Sequence, residues 1–125
     1  MKTIGVLLVI AVCMNFAVCT GSQKNQQIDS EAVNKANMLI QKTVIKENNS
    51  MLQDLASGEK ELVYYTTQAV AGFSHKMIFK VKGFQSAYVC VRLWERPYSG
   101  IKLSAIASVN TIEESQVACG IRITA

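Results

Sequence analysis

Gln68-Ala69-Val70-Ala71-Gly72 joins two strand-like runs through a bend of small residues. Upstream, residues 61–67 are rich in β-branched and aromatic side chains. Downstream, residues 74–82 alternate polar and apolar ones, so the pair reads as a β-hairpin. Gly72 accepts a positive φ at little steric cost, and Ala71 adds almost no bulk beside it. Such a tip could push its backbone into a narrow cleft that a longer side chain would block.

The alternation continues outward from this hairpin. Met77, Phe79 and Val81 share one face of the second run, with Lys76, Lys80 and Lys82 on the other, which reads as a solvated lysine face. After a turn at Lys82-Gly83, a third run sets Ala87, Val89, Val91 and Leu93 against Tyr88, Cys90, Arg92 and Trp94. A bend at Arg96-Pro97-Tyr98-Ser99-Gly100 leads to a fourth run with Ile101, Leu103, Ala105, Ala107 and Val109 on one face. Residues 117–124 are expected either to be tied to the third run through Cys90 or to pair as an extra edge strand.

Upstream, Asp29 or Ser30 can cap a helix whose first turn carries Glu31. Val33, Ala36, Ile40 and Val44, widened by Leu39, form an apolar stripe that runs to about Glu47 or Asn48. Met51, Leu52 and Leu55 fall in a short linker ending at Ser57-Gly58, where they read as a half-turn packed on the sheet. One amphipathic helix followed by successive hairpins predicts an α+β fold, with one N-terminal helix packed on a four- to five-stranded antiparallel sheet. Burying five or six apolar side chains of that stripe, at ~1.5–3 kcal/mol each, would fix the helix on the sheet.

The 125 residues allow one domain. Residues 1–19 read as a signal peptide: Lys2 precedes an apolar run over residues 4–12, and Ala17-Val18-Cys19 supplies small residues for cleavage before Thr20. The alternative is an uncleaved anchor. The run is interrupted at Cys13-Met14-Asn15, short of the ~20 apolar residues that a spanning helix needs, so no stable membrane insertion is expected. Residues 20–125 are then the domain, with residues 20–28 as a polar arm without periodicity. Cleavage removes Cys13 and Cys19 and leaves Cys90 and Cys119 with one pairing open to them, a disulfide in an oxidising compartment or two buried thiols. Asn48-Asn49-Ser50 is a sequon, making Asn48 a candidate glycosylation site.

Chemistry-bearing residues are thin. Loss of Lys2 takes the 13 basic residues to 12 against 9 acidic ones, a mild net charge of +3 with scattered cations, which argues against nucleic acid as a partner. His75 stands beside the bend and reads as a structural histidine. No nucleophile has an obvious partner, Glu113-Glu114 reads as a solvated turn, and neither a metal nor any other cofactor is expected. Binding rather than enzymatic turnover is the expectation.

The two bends, taken with Gly21 in the arm, resemble the cystatins, inhibitors of papain-like cysteine proteases. Gln68-Ala69-Val70-Ala71-Gly72 is similar to the family's Gln-x-Val-x-Gly first-hairpin signature, and Leu93-Trp94-Glu95-Arg96-Pro97-Tyr98 resembles its second hairpin with the Pro-Trp pair. Gly21 stands where the family has its N-terminal glycine, and Cys90 with Cys119 resembles its C-terminal disulfide. The resemblance covers about residues 21–109. It implies a secreted, extracellular, monomeric inhibitor whose arm at Gly21 and two hairpins, through Gln68, Ala69, Val70, Ala71, Gly72, Pro97 and Tyr98, occlude a cathepsin-like protease cleft without chemistry of their own. Tyr98 departs from the family's usual tryptophan, a single residue precedes Gly21 after cleavage, and the second disulfide of typical secreted cystatins is missing. The alternative is a non-inhibitory secreted binding, defence or venom protein of the same fold, acting through its lysine face.

Overall fold

The computed structural model describes residues 24–25, 28–69 and 71–123. The proposed signal peptide, Gly21 and Val70 lie outside them. The elements are β1 (Lys24–Asn25), α1 (Ser30–Lys46), α2 (Ser50–Ser57), β2 (Lys60–Ala69), β3 (Phe73–Val81), β4 (Tyr88–Arg96), β5 (Gly100–Val109) and α3 (Glu114–Ala118). The fold is α+β: an antiparallel sheet in the order β1-β2-β3-β4-β5, with α1 and α2 packed on one face. No helix among the described residues is long and apolar enough to cross a membrane.

Local chemistry sets the helix ends. The Asp29 carboxylate accepts from the Ala32 N–H at 2.9 Å, Glu31 lies in the first turn of α1 and Lys46 in the last, each charge opposing the helix dipole. The buried stripe is Ala32, Ala36, Leu39, Ile40 and Thr43, with Val33 and Val44 only half-buried at its flank. Thr43 sits in that stripe at no polar loss because its hydroxyl donates to the Leu39 carbonyl at 2.7 Å. The expected half-turn at Met51, Leu52 and Leu55 is a full helix, α2. Asn49 caps it by accepting from the Leu52 N–H at 2.9 Å, and Leu52 and Leu55 are completely buried.

Two apolar clusters lie on opposite faces of the sheet. The larger joins Leu39, Ile40, Leu52 and Leu55 to Leu62, Tyr65, Met77, Phe79, Val89, Val91, Leu93 and Ile101. The smaller, on the outer face, holds Ile78, Cys90 and Val109 against Cys119 and Ile121. The Cys90–Cys119 disulfide closes this second cluster, and α3 precedes it, so the C-terminal segment covers the sheet face rather than adding the edge strand considered from sequence. That cover changes the reading of β3, which is buried on both sides from Ser74 to Phe79. Lys76 is only 6 % exposed, so the solvated lysine face does not form; Lys80 and Lys82 are exposed.

Two further expectations are corrected. Residues 20–28 do not lack regular structure throughout, because Lys24 and Asn25 pair with Thr67 and Thr66 as an edge strand. The fourth run does not keep one face. Arg92 pairs with Ala105 but Leu93 pairs with Leu103, so a bulge absorbs Ser104 and reverses the alternation. Ile101 and Leu103 therefore face the helices, whereas Ala105, Ala107 and Val109 face the outer cluster. The Leu103 N–H at the bulge donates to the Glu47 carboxylate at 3.1 Å, which ties the end of α1 to β5.

Candidate functional site

Consecutive antiparallel pairing places the β2–β3 tip and the β4–β5 tip at the same end of the sheet. They touch. Phe73 is opposite Glu95, and a Cβ built on Gly72 would stand 2.5 Å from the Glu95 carbonyl oxygen and 3.4 Å from the Arg96 Cα. Only a residue without a side chain lets the first tip rest on the second at this distance. Gly72 also has φ 128°, a conformation that L side chains rarely adopt.

Among the described residues, the only non-glycine residues with positive φ are Ala71 (51°) and Tyr98 (69°), one on each tip. Each left-handed conformation costs roughly 1–2 kcal/mol, so strain is concentrated where the two tips project. Tyr98 is fully exposed, Pro97 is exposed beside it, and the Ser99 N–H donates to the Arg96 carbonyl to close the turn. Gln68 and Ala69 do not project with them: they belong to the β2 ladder, opposite Ser74 and Phe73, and are half-buried. Their part is to hold the tip.

Sequence reasoning missed Phe73, which is 47 % exposed beside the first tip and extends its apolar edge. Its ring stands 6.3 Å from that of His75, directly beneath. His75 is buried, with Nε2 at 2.9 Å from the Glu95 carboxylate and Nδ1 at 3.2 Å from the Tyr65 hydroxyl. Burial pushes its pKa below the ordinary value, against the pull of Glu95 and with a small further push from Lys35. The ring is therefore neutral near pH 7. Its Nε2–H donates to Glu95, leaving Nδ1 to accept from Tyr65, and the network braces the first hairpin against the strand entering the second. This is the structural histidine expected from its position.

Beneath the second tip, the Arg96 guanidinium lies over the Trp94 ring, 5.8 Å from its centroid, and a recess of about 180 Å³ opens between Trp94, Arg96, Ser99, Gly100 and Lys102. β1 runs antiparallel to β2, so its first residue, Lys24, is the one nearer the tips. The other sequence candidates lie apart. Cys90 and Cys119 join the C-terminal segment to the outer face, and Asn48 is exposed between α1 and α2, with its neighbour Asn49 committed to the α2 cap. No group of three or more His, Cys, Asp or Glu residues that could hold a metal ion occurs among the described residues. Comparison with protein-family models, with curated proteins and with solved structures finds no match.

Proposed function

We propose that this chain is a secreted, reversible inhibitor of papain-like cysteine proteases with a cystatin-like fold. The observation that supports it best is the contact of the two tips at Gly72 and Glu95, which makes one narrow edge of two bends. In this reading Ala71 and Gly72 approach the protease's catalytic centre, where lack of bulk matters. Tyr98, Pro97 and Phe73 flank them as apolar anchors. Burying one such aromatic ring is worth up to about 3 kcal/mol, and tips braced by the His75–Glu95 hydrogen bond lose little freedom on docking. The inhibitor supplies no reacting group: it fills the cleft with backbone and rings and excludes substrate.

The alternative through a lysine face is weakened by the burial of Lys76, which leaves Lys80 and Lys82 at the other end of β3. Purified residues 20–125 titrated into papain and cathepsin L test the proposal. Dose-dependent, reversible loss of activity supports it, and untouched proteases at micromolar inhibitor overturn it.

A further inference from the structure

The second tip stands over a recess whose positive charges the fold leaves unmatched. Trp94, Arg96, Ser99, Gly100 and Lys102 enclose about 180 Å³. Trp94 pairs with Lys102 and Arg96 with Gly100 across β4 and β5, while Leu93, Ile101 and Leu103 lie in the inner core, so the recess opens on the outer face. Tyr98, the exposed ring of the second tip, directly precedes Ser99 on its rim. We propose that the recess seats a carboxylate side chain of the protease, an inference that rests on the inhibitor reading and makes a protease with an acidic surface beside its cleft the preferred target.

Two cations line the recess and a third stands beside it. The Arg96 guanidinium lies over the Trp94 ring, 5.8 Å from its centroid, a contact that positions the group without an oxygen acceptor. Lys102 is exposed on the facing strand. The Lys46 ammonium, from the last turn of α1, is 2.5 Å from the place a Cβ on Gly100 would take, and Gly100 has φ 82°. Glycine at this position therefore serves the turn and admits a cation from the helix. The acidic residues nearest along the chain and ladder are already engaged. Glu95, between Trp94 and Arg96, faces the other side of the sheet and bonds His75 at 2.9 Å, and Glu47 accepts from the Leu103 N–H at 3.1 Å. None of Arg96, Lys102 and Lys46 is in an ion pair among the described residues.

Size and chemistry select the occupant. Pockets that bury a drug-sized ligand run from about 300 Å³ upward, so this recess suits a single side chain. A guanidinium fork beside an ammonium matches the two oxygens of a carboxylate, and a neutral or cationic side chain would leave both charges facing a surface that excludes water. The place of the recess selects the partner. Ser99 and Gly100 belong to the turn that carries Tyr98, so a protease that receives this tip brings its own rim over the recess. Rim charges that only steer approach change the association rate, whereas a charge pair that is seated also slows dissociation.

Association and dissociation rates with papain and cathepsin L are measured for the wild type, for Arg96→Gln/Lys102→Gln and, as a control of equal charge, for Lys80→Gln/Lys82→Gln at the far end of β3. The recess variant leaves the better-inhibited protease about tenfold faster than the wild type, and the control leaves at the wild-type rate. A second readout needs no protease. Trp94 is the single tryptophan of the chain, so its fluorescence reports on the recess. Tetraglutamate at about millimolar concentration shifts that fluorescence in the wild type, sodium chloride of matched ionic strength does not, and the recess variant shows no shift with either. Unchanged dissociation of the recess variant, an equal acceleration in the control, or no tetraglutamate response in the wild type overturns the seat. If the wild type inhibits neither protease, the inhibitor reading falls, and a persisting tetraglutamate shift keeps the recess as a carboxylate seat for another acidic partner.

Discussion

The sheet turns at both ends through a glycine with positive φ, Gly72 (128°) at the two-tipped end and Gly83 (81°) at the other. Their surroundings differ. A side chain on Gly72 would collide with the Glu95 backbone, whereas nothing lies within 4 Å of a Cβ on Gly83. At the far end glycine serves only the turn, and exposed Lys82 and Glu59 approach each other at 3.8 Å in solvent, a pair worth little to stability. At the tip end glycine serves the turn and a backbone contact at once, and the strained residues Ala71 and Tyr98 stand on either side of it. Conformational freedom alone therefore does not separate the two turns, but freedom combined with close approach does.

The largest effect expected in the molecule lies off both ends. Replacing Cys90 and Cys119 with alanine removes a cross-link that the chain-entropy model values at about 3–4 kcal/mol for a loop of this size. Denaturant unfolding should register that loss, while papain inhibition at room temperature persists in the fraction that remains folded. Loss of inhibition in the folded variant would show that the outer face, and not the tips alone, carries function.

Next in size is the contrast between the glycines. Gly72→Ala should lower unfolding free energy by about 2–3 kcal/mol, because the shift forced at Glu95 adds to the left-handed penalty, whereas Gly83→Ala bears only the ~1–2 kcal/mol of that penalty. Equal losses would erase the distinction between the two ends. Tyr98→Gly should move stability and binding in opposite directions. Relief of positive φ raises the melting temperature slightly, while loss of the exposed ring weakens protease inhibition about tenfold, roughly 1.4 kcal/mol.

The smallest effect at neutral pH belongs to His75. Its folded pKa is depressed, chiefly by burial, so at pH values above the unfolded value the ring is neutral in both states and its bonds to Glu95 and Tyr65 count in full. As pH falls below about 6.5, the unfolded chain takes up a proton that the folded one resists, so stability declines towards the lower folded pKa. His75→Gln should flatten that part of the stability profile. An unchanged slope between pH 7 and pH 5 would assign acid sensitivity to other groups.

Much of the arrangement was legible in the residues themselves. Asp29, Glu31 and the apolar stripe announce α1, and the β-branched and aromatic run over residues 61–67 with the alternation over residues 74–109 announces the meander, because caps and strand patterns act locally. α2 escaped notice because eight residues with Leu52 and Leu55 buried show too little period to tell a helix from a half-turn. The flip in β5 was hidden because alternation looks the same on both sides of Ser104, and the bulge exists only relative to β4. The burial of Lys76 is hidden for a related reason: β3 is covered on both sides from Ser74 to Phe79, which its own alternation does not reveal. At the tips, small size and glycine were visible in the sequence. The Gly72–Glu95 contact, the exposure of Phe73 and the His75 bridge depend on cross-strand register, which no single run encodes.

The proposed inhibitory edge is the pair of tips with Gly72 between them. Its most direct test is a side-by-side titration of papain with residues 20–125 as wild type, Gly72→Val and Gly83→Val, each first confirmed folded. Such an edge gives reversible inhibition by the wild type, equal inhibition within a factor of about three by Gly83→Val, and at least a hundredfold loss, about 2.7 kcal/mol, in Gly72→Val. Matching inhibition by all three proteins, or none by the wild type at micromolar concentration, would contradict it.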